Sequence, residues 1–198
     1  MSTYMSDPFN QEETMPPSIK PMPIHFGPFL VTPQVFHQTH LSIALVNLKP
    51  ILPGHVLISP RRVVPRVSDL TPPETADLFL TVRRVGRMIE RVYNATSLNI
   101  AIQDGKEAGQ SVPHVHAHII PRRVKDLSST DEVYDRLDGE EGDLKKSLSE
   151  RAQQQERDGE RTMDRLKVDD EARVARGAEE MEREAVMLAK EMAKEPVD

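Results

Sequence analysis

The chain contains no cysteine among its 198 residues, so disulfide bonds, thiolate metal sites and cysteine-based zinc fingers are excluded. No apolar run approaches the length of a membrane span. The N-terminal residues also lack the basic and then apolar segment of a secretory signal. These absences fit a reducing compartment and predict no membrane partner. We expect a cytoplasmic location, with the nucleus equally open to the protein.

The acidic excess of the chain, a net charge of −6, belongs to its C-terminal part. Residues 1–125 carry 13 basic and 9 acidic side chains, whereas residues 126–198 carry 13 basic and 23 acidic ones. All seven histidines lie between His25 and His118. A mildly basic body suits an anionic substrate, and an acidic tail is typical of a solvated appendage. The chemistry is therefore expected in the body.

Three histidines at alternate positions, His114, His116 and His118, are the strongest chemical signal in the sequence. If they lie on a strand, alternate side chains share a face and the imidazoles form one row. Pro121 is expected to end this strand because it has no N–H for the ladder. Such a row can bind a metal or attack an electrophile. The preceding Gly109-Gln110-Ser111 is rich in donors that can wrap phosphate oxygens, which favours attack.

The pattern of apolar and turn residues predicts an α+β fold on an antiparallel sheet, because several strands precede a long helix and two strands follow it. A helix is predicted from Thr71, with Glu74 at the capping-box position and Asn94 at the end. The predicted strands other than the histidine strand are residues 26–31, 35–39, 41–46, 55–59 (stopped by Pro60) and 98–103. The helix arginines Arg83, Arg84, Arg87 and Arg91 are interpreted as a solvated surface, and no nucleic-acid partner is predicted.

Composition divides the chain into four regions. Residues 1–23 are polar and proline-rich and are predicted to be a disordered extension. The folded domain is expected over residues 24–124, followed by a charged flexible linker over residues 125–170. The final region, residues 171–198, is predicted to contain a helix that docks on the body. Its apolar stripe is Met181, Ala185, Leu188 and Met192.

The run His-Val-His-Ala-His-Ile-Ile resembles the histidine triad motif. Four further stretches are similar to the fragile histidine triad branch of that superfamily, whose members split diadenosine triphosphate: residues 41–47, 53–56, 103–105 and 107–110. The resemblance covers Phe26 to Tyr134, and the extended tail looks like that of a fungal-type member. It implies a five-stranded antiparallel sheet with one long helix and a C-terminal helix. It also implies a homodimer that joins two sheets into ten strands.

The same resemblance implies a role for each matching residue. His116 would attack the α-phosphorus and form a nucleotidyl-histidine, His118 would donate to a non-bridging oxygen, His114 would hold the network and His55 would support the row. The implied substrate contacts are Asn47, Gln103, Gly109, Gln110, Ser111, Val112, His118 and Phe29. Phe29 stands where the family has a histidine that contacts substrate. Tyr134 matches a tyrosine on the family's mobile loop. Taken alone, Asn47 and Gln103 are equally typical of turns, and His55 and Phe26 of a core.

The implied activity is hydrolysis of a dinucleoside polyphosphate, diadenosine triphosphate, to AMP and ADP. A divalent cation, Mg or Mn, would be carried on the substrate phosphates, and no protein-bound metal is predicted. The alternatives are a nucleoside phosphoramidase, a nucleotide-binding signalling protein with slow turnover, and a zinc hydrolase. A nucleotidyltransferase is disfavoured because that branch replaces the third histidine with glutamine.

Overall fold

The computed structural model describes residues 22–139, 149 and 176–196, and its centre is the predicted five-stranded antiparallel sheet. A two-stranded hairpin precedes the sheet, and the sheet order is β3-β4-β5-β7-β6. The strands are β1 (His25–Phe26), β2 (Phe29–Leu30), β3 (Val35–Gln38), β4 (Ser42–Val46), β5 (Val56–Pro60), β6 (Ser97–Ala101) and β7 (Ala117–Arg122). The predicted disordered extension lies outside the described residues, apart from its last two.

The hairpin formed by β1 and β2 corrects the prediction of one strand over residues 26–31. Gly27 has a φ of +55°, a conformation open to glycine, and it reverses the chain between Phe26 and Phe29. A Cβ on Gly27 would lie 2.7 Å from the side chain of Val112. The turn therefore depends on glycine, and it brings the start of the domain against the segment before β7.

Pro121 lies inside β7, the strand that it was predicted to end, whereas β5 ends at Pro60, as predicted, with the proline as its last residue. Pro60 pairs with Ser42 at the end of β5, and Pro121 pairs with Leu98 within β7. Neighbouring residues of a strand bond in opposite directions. The backbone of Arg61 bonds towards β4, and the backbone of Arg122 bonds towards β6. The nitrogen of the preceding proline therefore points to the opposite side in each strand, where β5 and β7 are not paired with each other. Neither missing N–H removes a ladder bond.

The predicted long helix is α1 (Pro72–Tyr93). The Thr71 side chain accepts from the Glu74 N–H and the Glu74 carboxylate accepts from the Thr71 N–H, which is the predicted capping box. Asn94 ends the helix in the left-handed conformation, as predicted. The buried stripe of α1 packs on β4, β5, β6 and β7, so this helix covers one face of the sheet.

Within the described ranges, two further helices follow the sheet. Residues 132–139 form α2, inside the region predicted to be a charged linker. Val133 and Leu137 are buried there in a cluster with Ile51 and Ile120. Helix α3 (Ala178–Met192) buries all four residues of its predicted stripe and packs on β3 and β4. The predicted docking of the C-terminal helix is confirmed.

Contacts between α1 and the end of α3 correct the interpretation of the helix arginines as a solvated surface. Arg91 forms ion pairs with Glu191 and Glu195, at 2.6 and 2.7 Å. Arg84 and Arg87 donate to the backbone carbonyls of Glu195 and Pro196. Cations are favourable at the carbonyl end of a helix, so these side chains hold the end of α3.

Candidate active site

The position of β5 beside β7 brings His55 and His118 into contact. His118 lies opposite Leu57, and His55 precedes Leu57 by two residues, so both rings lie on the same face of the sheet. The backbone N–H of Ile51 donates to His55 Nδ1 at 3.1 Å. His55 Nε2 must therefore carry the proton that it shares with His118 Nδ1, at 2.9 Å. In neutral His118, the remaining proton is consequently on Nε2.

His116 is held in the opposite tautomer. Its Nδ1 lies 2.8 Å from the backbone carbonyl of His114, which can only accept, so Nδ1 carries the proton. The lone pair of a neutral His116 is therefore on Nε2. The rings of His116 and His118 stand edge to face with their centroids 5.0 Å apart. A nucleophilic nitrogen thus lies beside a ring that presents a donor.

His114 is locked as a neutral ring by two backbone groups. The Gly27 N–H donates to Nδ1 at 3.0 Å, and Nε2 donates to the carbonyl of Pro60 at 2.9 Å. That carbonyl is available because β7 begins only at Ala117, so no strand residue pairs with it there. Burial lowers the pKa of His114 to about 4, because the charged form is poorly solvated and a second proton would displace the Gly27 N–H.

The structure corrects the prediction that all three triad histidines lie on one strand in a single row. His114, which lies in a bend, and His116 both precede β7. The ring of Phe26 contacts both of them, with centroids 5.4 Å from His114 and 5.1 Å from His116. Because the His114 ring is bonded to Gly27 and Pro60, it does not continue the row. His116 therefore has the imidazole of His118 on one side and the ring of Phe26 on the other.

The segment predicted to wrap phosphate, Gly109-Gln110-Ser111, belongs to a loop whose side chains bond within it and to residues 65–67. Gln110 accepts from the Gly105 N–H at 3.1 Å and donates to the Pro65 carbonyl at 2.9 Å. Asp104 accepts from the Val67 N–H at 2.8 Å. The Gln110 side chain therefore joins Gly105 to Pro65. The loop borders an open depression lined by Arg66, Lys106, Gly109, Ser111 and Asp138, among others.

The remaining predicted substrate contacts lie in several parts of the domain. Asn47 is buried, and its amide nitrogen lies 3.2 Å from His55 Nε2. Gln103 is buried next to Gly109, with its Nε2 3.5 Å from a carboxylate oxygen of Asp138 and its Oε1 without a partner among the described residues. Val112 is buried in the core, so it offers only its backbone, and Phe29 is half-buried on the core edge. Tyr134 is about half exposed on α2.

The described residues contain no group of three or more histidine and carboxylate side chains arranged to hold a metal ion. Within those same ranges, no helix is long and apolar enough to cross a bilayer. Three imidazole nitrogens of the cluster are already occupied by bonds to Gly27, His55 and Ile51.

Sequence reasoning missed two groups that orient the site, the Gly27 N–H and the Pro60 carbonyl. Gly27-Pro28 is a recognisable turn signal and could have predicted the hairpin. No local signal identifies the Pro60 carbonyl, because its partner lies 54 residues away.

Comparison with known proteins defines the class. Residues 31–125 match the model of the HIT domain. The bis(5'-nucleosyl)-tetraphosphatase (asymmetrical) of Schizosaccharomyces pombe is 51% identical over 171 residues, covering 85% of this chain and 93% of that protein. The chain belongs to the HIT domain family.

Two other relatives refine the placement within the family. The bifunctional bis(5'-adenosyl)-triphosphatase/adenylylsulfatase FHIT of Arabidopsis thaliana is 56% identical over 124 residues, 62% of this chain and 69% of that protein. The crystal structure of Plasmodium falciparum diadenosine triphosphate hydrolase in complex with cyclomarin A is 35% identical, with a TM-score of 0.53, over 67% of this chain and 88% of that one. The similarity is thus to the fragile histidine triad branch indicated by the sequence motifs.

Proposed function

We propose that the protein is a dinucleoside polyphosphate hydrolase that cleaves diadenosine triphosphate to AMP and ADP. The observation that carries this proposal is the opposite tautomers of two neighbouring rings, with a lone pair on His116 Nε2 and a proton on His118 Nε2. A phosphoanhydride needs a nucleophile and a donor that neutralises charge on a non-bridging oxygen. The names of the relatives support the same substrate class.

In the proposed reaction His116 Nε2 attacks the α-phosphorus, the bond to the bridging oxygen breaks, and ADP leaves. Water then attacks the AMP–His116 phosphoramidate, which releases AMP and regenerates the neutral ring. Dividing hydrolysis in this way replaces one difficult step with two easier ones. His118 donates to a non-bridging oxygen, His55 fixes the tautomer of His118, and His114 supports the backbone carbonyl that orients His116.

The substrate contacts proposed from the resemblance are Asn47 and Gln103 for ribose and base, and Gly109, Ser111 and the Val112 backbone for phosphate. For Gln110 we propose an indirect contribution, since its side chain closes the loop onto Gly105 and Pro65. The phosphates would arrive as a Mg or Mn complex, which neutralises charge without a ligand from the protein.

A tetraphosphate is the second candidate substrate, because the Schizosaccharomyces pombe relative aligned over 93% of its length is named a tetraphosphatase. Attack at the same α-phosphorus would then release AMP and ATP. Comparing kcat/KM for diadenosine triphosphate, diadenosine tetraphosphate and a nucleoside phosphoramidate ranks the two candidates and tests the phosphoramidase alternative.

We also propose a homodimer joined through the edge strand β6, whose Ile100 is half exposed.

A cytoplasmic location, with access to the nucleus, is proposed because the chain has no cysteine. If substrate-bound protein is itself a signal, turnover should be slow and partner binding should survive loss of His116.

The decisive experiment is mass spectrometry of protein quenched without acid during turnover of diadenosine triphosphate. We expect an AMP adduct on His116, and we expect His116→Asn to lower kcat by about three orders of magnitude or more while nucleotide binding persists. Turnover by His116→Asn near the wild-type rate would overturn the assignment. Stoichiometric zinc in the purified protein, with activity lost to a chelator, would instead support a zinc hydrolase.

A further inference from the structure

Arg176, which precedes α3, reaches the turn that connects β4 to β5. Its backbone N–H donates to the carbonyl of Leu48 at 3.1 Å. Its Nε donates to the carbonyl of Asn47 at 3.2 Å, and its Nη2 donates to the same oxygen. The Arg176 side chain is only 12% exposed. The Arg176 guanidinium thus binds the backbone carbonyl of Asn47, and the Asn47 side chain lies against His55.

The other end of the guanidinium is held by a carboxylate that belongs to α3. Arg176 Nη1 pairs with one oxygen of Glu184, and the other oxygen accepts from the hydroxyl of Tyr93 at 2.8 Å. Burial and the neighbouring Glu184 raise the pKa of Tyr93, so the hydroxyl keeps its proton. Tyr93, Glu184 and Arg176 therefore form one chain of directed bonds between the end of α1 and the start of α3.

Tyr93 contacts the same turn at its far end. A Cβ added to Gly54, whose φ is +87°, would lie 2.5 Å from the Tyr93 ring, so the ring packs directly on the residue before His55. Arg176 thus holds the first residue of the turn, Asn47, and Tyr93 packs against the last before His55. The three side chains enclose the turn from both ends.

This turn determines how His55 is oriented. The Asn47 N–H reaches the His55 carbonyl at 3.4 Å, and the Ile51 N–H, from the middle of the turn, fixes the His55 tautomer. His55 in turn occupies the Nδ1 lone pair of His118. A displacement of the turn would therefore be transmitted through His55 to the donor on His118.

We propose that Arg176 is a positioning residue for catalysis, and that the helix α3 uses it, with Glu184 and Tyr93, to hold the β4–β5 turn in the conformation that orients His55 and His118. The proposal rests on the proposed function of the histidines. Under this proposal, the residues that position the catalytic histidines extend beyond the matched HIT domain, residues 31–125, to the segment that begins α3.

The test compares Arg176→Met and Arg176→Lys with Arg183→Met, a matched control within the adjoining helix α3 whose side chain is 72% exposed. We expect Arg176→Met to lower kcat about tenfold to a hundredfold with little change in KM, because a misplacement near 1 Å has such effects on chemistry and less on binding. Arg176→Lys should recover part of the loss, and Arg183→Met should match the wild type.

The pH profile separates positioning from a loss of folded protein. If His55 no longer occupies Nδ1 of His118, that nitrogen can accept a proton, so the pH profile of kcat in Arg176→Met should contain a titration that the wild type lacks. Rates are expressed per site labelled by AMP in a burst, which counts only folded, competent protein. An unchanged kcat per labelled site together with an unchanged pH profile would overturn the proposal.

Tyr93→Phe provides a second, milder variant, because it keeps the ring on Gly54 and removes only the hydroxyl bond to Glu184. We expect a smaller fall in kcat of the same kind, even if Arg176→Met does not fold. A wild-type rate in Tyr93→Phe together with an unfolded Arg176→Met would assign the three residues to stability alone. Absence of adduct and turnover in the wild type would refute the function itself, which is a separate outcome.

Discussion

His114 links folding to pH because the folded protein keeps its ring neutral. The pKa of His114 is about 4 when folded, against an ordinary value of 6.5, so between those values the unfolded chain binds more protons. The contribution of the neutral His114 ring to stability is therefore fully present above about pH 6.5 and falls as the pH drops towards 4. From His114 alone we expect the free energy of unfolding to be lower at pH 5 than at pH 7 by an amount on the order of 2 kcal/mol.

Urea denaturation at the two pH values measures this difference. His37, whose pKa is also lowered by burial, adds to it in the same direction. A free energy of unfolding that is flat between pH 7 and pH 5 would contradict the neutral, doubly bonded His114.

Gly27 affects both the hairpin and the histidine cluster, because its positive φ forms the turn and its N–H donates to His114. Gly27→Ala would place a Cβ 2.7 Å from Val112 and strain a φ of +55° while moving the N–H that His114 accepts. We expect a loss of roughly 1–3 kcal/mol in the free energy of unfolding, together with lower kcat. Gly139→Ala, whose added Cβ meets nothing within 4 Å, is the matched control. Equal stability of the two variants would show that the hairpin tolerates a side chain.

At the scale of elements, α3 is part of the core. Leu188 is fully buried on its apolar stripe, so Leu188→Ala should lower the free energy of unfolding by about 2–5 kcal/mol in a denaturation experiment. Val186, two residues earlier and half exposed, is the control, and its replacement by Ala should change stability by no more than about 0.5 kcal/mol. Similar values for both would mean that α3 is a detachable appendage.

How far an element could be predicted depended on whether its determinants are local. The capping box and the stripe of α1 lie within the helix itself, and the prediction of that helix is confirmed. The start of β7 depends on Gly27 and Pro60, which lie 87 and 54 residues from His114, and the strand prediction there was wrong. The triad motif and the separate Pro-Gly-His-Val match identified the four histidines, but their tautomers could be assigned only from the groups that bond to them.

At the scale of the whole molecule, β6 leaves one edge of the sheet open. Edge strands pair with other chains unless a charge or a proline prevents it. We therefore expect sedimentation velocity at tens of micromolar to give a dimer, and Ile100→Lys to shift it towards monomer. Val124→Lys introduces the same charge at an exposed residue outside the sheet and is the control. A monomeric wild type would exclude the ten-stranded assembly under these conditions.

The contact between Arg176 and Asn47 joins residues 129 positions apart in the chain. During synthesis the ribosome releases the β4–β5 turn long before it releases Arg176. The sheet that positions the four histidines can therefore form before its β4–β5 turn is held by the contact with Arg176. If Arg176 orients His55, a nascent chain acquires its fold first and its full catalytic rate only when the last helix emerges. Pairing over so long a separation also raises the contact order, which slows folding.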